Sequence, residues 1–217
     1  MTRALLSLLL LVALSGSAAG YGYTREEDPL LMAFQAAVRA ARGGDLPAAR
    51  AQVERVTWQL DELKGKEDLA VDFGPRLRAA HEAPGASVAG VIEAWANLVY
   101  LGLLQKLHWN MQEELKDYHK AKARLDAVES YYELALAGNV KEDDRRRREK
   151  DPLAPSRHED VVAQLKRARE ALGTPGLFGV GARPADPVAF RAAATRLAGH
   201  LKAVFPGFAR PGEGGKR

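Results

Sequence analysis

A chain of 217 residues, 47% apolar or aromatic and 28% charged, has the composition of a globular protein and not of a disordered one. The absence of cysteine excludes a disulfide framework, a thiolate metal site, a catalytic thiol and c-type haem attachment. A net charge of +4 is too mild to imply a nucleic-acid partner.

The N-terminus reads as a secretory leader. Arg3 precedes an uncharged run from Ala4 to Leu14, and Ser17 and Ala19 are the small residues that cleavage needs, so cleavage is expected after Ala19. The apolar run of about 11 residues is too short for a membrane anchor, which needs about 20. No later stretch is expected to span. The richest, Val88 to Leu107, contains Glu93, Asn97, Gln105 and Lys106. Processing removes one charged residue, Arg3, and leaves a net charge of +3. The Ala- and Arg-rich composition fits a GC-rich bacterial genome, and export then implies the periplasm or beyond. The expected organisation is a leader at 1–19, one helical domain at 20–208 and a flexible tail at 209–217.

Helical spacing recurs along the chain, and no segment alternates apolar and polar residues for long. Asp28-Pro29 signals a helix start. Leu30, Leu31, Phe34, Ala37, Val38 and Ala41 then share a face, and Gly43-Gly44 ends the helix. Asp45-Leu46-Pro47 starts the next, with Ala49, Val53, Val56, Leu60 and Leu63 as its stripe. The short link predicts an antiparallel αα-hairpin. The pair resembles half of a tetratricopeptide-like repeat, but the pattern does not recur at a fixed period, so no solenoid is expected. A short helix is possible at 66–72, and another at 76–82.

Residues 86–137 lack proline. A single helix of that length would run about 78 Å at about 1.5 Å per residue, so a break is expected between Asn110 and His119. Gly138-Asn139 reads as the C-terminal stop. The run from Lys141 to Asp151 carries six basic and five acidic groups. It reads as an exposed loop, with an anion or partner site on Arg145 to Arg148 as the sharper reading. Ser156 with Glu159 forms a capping-box pattern before the stripe Val161, Val162, Leu165, Ala168, Leu172. Residues 173–185 form a Gly/Pro-rich connector whose Leu177 and Phe178 are expected in the core. Asp186-Pro187 starts a final helix with Phe190, Ala193, Ala194, Leu197 and Leu201 inward.

These elements predict an all-α fold: an antiparallel bundle of six or seven helices opening with a short αα-hairpin. The best candidate site lies on the long helix. Glu93, Asn97, Tyr100 and His108 share a face with Leu104, Met111 and Leu115 at spacings of three and four. Buried polar groups need partners, so this face reads as a ligand site or as a packing network. Glu93 and His108 are about 22 Å apart along a straight helix and cannot share one metal ion. Tyr131, turned about 100° from Tyr132, is expected to be exposed with Glu129 and Glu133 as a partner surface.

Catalytic grammar is missing. There is no Gly-x-Ser-x-Gly elbow, no Walker loop, no His-Glu-x-x-His and no Glu-x-x-His pair. The reading is therefore an exported, soluble, non-catalytic helical protein, without a cofactor or a stable membrane span. Its expected partner is another protein or a small molecule, and not nucleic acid. The alternative is an extracytoplasmic metal-handling accessory, such as an iron-uptake binding component, with ligands drawn from Glu93, Tyr100, His108, Glu129, Tyr131 or Glu133.

Overall fold

The computed structural model describes residues 28–83, 86–176 and 181–205. The leader, the C-terminal tail and the pair Leu177 and Phe178 lie outside these residues. The fold is all-α: seven helices have nine or more residues, and no strand occurs among the described residues.

Local chemistry explains the first helices. Asp28 Oδ1 accepts from the N–H groups of Leu30 and Leu31 and caps α1, Pro29–Arg42, with Pro29 in its first turn. The expected face of α1 is buried throughout. Asp45 caps α2, Leu46–Ala51, by accepting from Ala48 N at 2.9 Å. The second predicted helix is not continuous. A 3₁₀ turn, Gln52–Val56, separates α2 from α3, Thr57–Leu63. Its stripe is nevertheless buried at all five predicted positions. Residues 66–69 form turns and 70–72 run irregularly, instead of a helix, with Ala70 at φ 53°. Next comes α4, Gly74–Glu82, whose His81 accepts a hydrogen bond from Trp95 Nε1 at 3.0 Å. Burial and then the Arg50 charge hold that imidazole below its usual value, against the pull of Glu82.

The core helix is α5, Val88–Gln112, capped by Ser87. Every residue from Ala94 to Leu103 is buried, so the helix is enclosed on all sides. By length and composition α5 is apolar enough to cross a membrane, and 67% of its most apolar window is buried inside the protein. Gly102 lets neighbours approach closely. A Cβ there would stand 2.8 Å from Leu30 Cδ2 and 3.1 Å from Tyr131 Cε2. At one end of α5, Gln105 bridges Gln59 and Asp68, and Trp109 Nε1 donates to Asp68 at 2.6 Å.

The expected break follows α5. Glu114 and Leu115 adopt φ of 51° and 58°, and Asp117 caps α6, Tyr118–Tyr131. Arg124 pins this corner with two 2.9 Å bonds to Glu113, and those bonds hold the Glu113 carboxyl down at about 2.

Gly138-Asn139 does not stop the chain. A π-helical turn, Tyr132–Leu136, leads into α7, Ala137–Lys150, which contains both residues and nearly all of the charge run. The loop reading is corrected by the spacing of the charges. Glu142 pairs with Arg145 and Arg146, Asp143 with Arg147, and Arg145 with Glu149, all three or four residues apart. Such pairs stabilise a helix, and a glycine interior costs only about 1 kcal/mol.

Ser156 caps α8, Arg157–Ala171, by accepting from Glu159 N at 3.2 Å, although Val162 is exposed. The connector returns through a Thr174–Arg183 pair of 2.9 Å backbone bonds. Asp186 then caps α9, Pro187–Val204, which packs along α8 and buries all five expected residues.

Candidate functional site

The face predicted on α5 does not assemble as an open site. Glu93 is exposed, whereas Asn97 and Tyr100 are buried. Asn97 Nδ2 donates to the Glu93 carbonyl at 2.9 Å, and its Oδ1 has no partner among the described residues. The Tyr100 ring stacks on Phe205 at 5.2 Å, and burial pushes its phenol up to about 12. His108 lies elsewhere. Its Nε2 is 3.1 Å from the Glu67 carbonyl and 2.7 Å from Gln112 Nε2, which ties α5 to the turn before α4.

The partner surface loses its aromatic. Tyr131 is fully buried and donates to the Asp28 carboxylate at 2.9 and 3.2 Å. Burial and then the Asp28 charge push this phenol up. Lys106 sits above its ring, 5.4 Å from the centroid, and 5.6 Å from that of Trp109. The expectation failed because both sides of the segment are covered. Tyr131 turns toward α1 and α5, while Tyr132 turns toward α8. Glu129 accepts two bonds from Arg169 of α8, at 3.1 and 2.6 Å; Glu133 is exposed.

The six candidate metal ligands are thus distributed. Among the described residues no three His, Asp or Glu side chains are placed to hold a metal ion.

An open cleft lies instead between α7 and the start of α8. It holds about 540 Å³ and is lined by Lys141, Asp144, Arg145, Arg148, Glu149, Ser156, His158 and Glu159. Its base is Asp144, a buried carboxylate that accepts from the N–H groups of Arg157 and His158, each at 2.9 Å, and from Ser156 Oγ at 2.9 Å. Arg147 bonds the same carboxylate. Burial pushes the Asp144 carboxyl up, but the four donors outweigh burial and hold it at about 2. Asp144 therefore serves the N-terminus of α8 as a fixed anion. Behind it, the buried Tyr132 stacks on His158, with its hydroxyl 2.6 Å from Nδ1.

Ser156, His158 and Asp144 have the residue types of a hydrolase triad, but their bonds run otherwise. Asp144 meets the backbone of His158 and not its ring, and Ser156 Oγ is spent on Asp144 and on the Glu159 N–H. A triad needs the ring between the acid and the hydroxyl.

The cleft does carry unspent positive charge. Arg145 is held by Glu142 and Glu149. Lys141 makes no hydrogen bond or ion pair among the described residues, and Arg148 makes only a 3.5 Å contact with the Ala154 carbonyl. Sequence reasoning reached Arg145 and Arg148 but missed Lys141, Tyr132 and His158. The charge spacing of four and then three residues was the available signal, since it places Lys141, Arg145 and Arg148 on one side of a helix.

The described residues form an all-α protein with a cleft, lined by charged and polar residues, at the joint of two charged helices. No family model matches the chain, and no curated protein or solved structure matches it.

Proposed function

We propose that this is an exported, non-catalytic binding protein, and that it engages an acidic segment of a protein partner in the cleft between α7 and α8. The observation that carries this reading is the pairing of Lys141 and Arg148 in one open cleft, with neither cation neutralised by a carboxylate among the described residues. Charge complementarity of this kind sets partner choice and association rate. The cleft is open and lined by charged and polar residues, unlike the enclosed pockets lined by apolar side chains that hold most small ligands. Leu153, 92% exposed in the loop between the two helices, adds an apolar contact suited to a protein surface.

A non-catalytic role accords with the commitment of Ser156 and Asp144 to the α8 cap. Export rests on residues 1–19. Mass measurement of protein secreted by a producing host is expected to give a chain beginning at Gly20, and an intact Met1 would remove the basis for export.

Binding is tested with a short polyglutamate peptide at low ionic strength. The wild type is expected to bind it and to release it as salt is added. The double variant Lys141→Glu, Arg148→Glu should bind at least about tenfold more weakly with unchanged circular dichroism. Equal affinity of the two proteins would exclude the cleft as the contact site.

A further inference from the structure

One edge of the fold is fastened by a bond that a single proton removes. The Trp95 indole Nε1–H can only donate, and it lies 3.0 Å from His81 Nε2. Nε2 must therefore keep its lone pair, which places the proton of the neutral ring on Nδ1. That Nδ1 is buried and has no hydrogen-bond partner among the described residues. Trp95 is itself fully buried, and among the described residues its N–H meets no acceptor but His81.

Little else holds this end of α4. The helix buries Gly74 and Leu77, both in its first half. Beyond Leu77 the hold consists of the His81 ring, the partly buried Ala80 and an exposed ion pair, Arg50–Glu82 at 2.7 Å. Exposed pairs of this kind contribute little.

We propose that the His81–Trp95 bond is an acid-released latch: a proton on Nε2 turns the acceptor into a second donor, and the later half of α4 lets go of α5. The charged ring would also bury an Nδ1–H without an acceptor among the described residues. The charges around the ring resist the proton but do not forbid it. α4 packs against α5 and α2. From α5 the ring meets the Trp95 indole, which does not titrate. From α2 it meets Arg50, which opposes the proton, and on α4 itself Glu82 favours it. Glu82 is already paired with Arg50. Burial and then Arg50 outweigh Glu82 and hold the imidazole below its ordinary 6.5. The unfolded chain therefore takes up the proton first as pH falls. The latch is complete above the ordinary value and is lost as pH drops through the folded one.

The test is nuclear magnetic resonance of the intact protein from about pH 7.5 to about pH 4.5, read at the Trp95 Nε1–H, the His81 ring and backbone amides 78–83. The Trp95 signal is expected to move with the His81 midpoint, below 6.5. Protection of amides 78–83, corrected for intrinsic exchange, should fall at least about tenfold across that midpoint while α1 keeps its protection. His81→Gln retains an acceptor that does not titrate, so both responses should vanish. An unmoved Trp95 signal, a His81 midpoint at or above 6.5, or the same responses in His81→Gln overturns the proposal. A moving Trp95 signal with unchanged α4 protection also overturns it, because the helix then stays in place without the bond. Should His81→Gln not fold, the wild type decides: the midpoints of the His81 ring, the Trp95 signal and the α4 amides must coincide, and a mismatch overturns the latch.

Discussion

Replacing Asp144 with alanine is expected to lower the stability of the protein by about 3 kcal/mol, because it removes a buried charged acceptor from several partly buried donors. The carboxylate is one of the most enclosed charges in the fold, with its side chain 7% exposed. It satisfies two backbone N–H groups at the start of α8, the Ser156 hydroxyl and Arg147. Alanine removes all four bonds at once and leaves the helix N-terminus without its anion. Asp144→Asn keeps the volume and one acceptor, so about half the loss is expected. Urea unfolding followed by circular dichroism measures both, and a loss under about 1 kcal/mol for alanine would show that water replaces the carboxylate without cost.

The same residue imposes an acid limit. Its folded value of about 2 lies below the ordinary 3.8, so the unfolded chain takes up the proton first as pH falls. The contribution is complete above the ordinary value and disappears as pH drops toward the folded one. Asp144→Ala should therefore show a shallower fall in Tm between about pH 4 and about pH 2 than the wild type. Parallel curves would contradict this origin for the acid limb.

Gly173→Ala carries the second large effect, again about 3 kcal/mol of destabilisation. Gly173 has φ +69°, and a Cβ there would stand 2.3 Å from the Arg183 carbonyl oxygen and 2.6 Å from that of Pro184. Both obstacles are backbone atoms, so no side chain can swing aside. Relief requires moving the connector, which is held by the Thr174–Arg183 bonds and by Asp186 N donating to the Ala171 carbonyl at 2.8 Å. Asp186 also caps α9, so the strain reaches the α8–α9 contact. Gly44→Ala is the control. Gly44 has φ +81° with nothing within 4 Å of a Cβ, and its variant should lose only about 1 kcal/mol, the conformational part alone. If the two variants unfold at the same urea concentration, the clash at Gly173 is relieved without cost.

Much of the fold was legible because its signals are local. Asp28, Asp45, Ser156 and Asp186 each bond a backbone N–H two or three residues ahead, so a cap is readable from a short window. The apolar stripes of α1 and α9 were equally plain. The break after α5 followed from length, although no residue type announced Glu114 and Leu115 at positive φ. The charge run misled because counting its charges hid their spacing, and spacing is what makes α7 a helix. The candidate site was less legible. Tyr131 finds its partner 103 positions away at Asp28, and the orientation of His158 depends on Tyr132 from a different helical segment.

By itself, the sequence determined where α1, α2, α8 and α9 begin, the apolar faces of α1 and α9, and which chemistries lack their residues, since each depends on neighbours within a turn or two. Only the tertiary structure decided that Tyr131 is buried, that Asp144 serves α8, and that Lys141 and Arg148 share a cleft with no ion-pair partner among the described residues. Those outcomes depend on which helices meet and on which charges burial satisfies, and both are set by packing between distant segments.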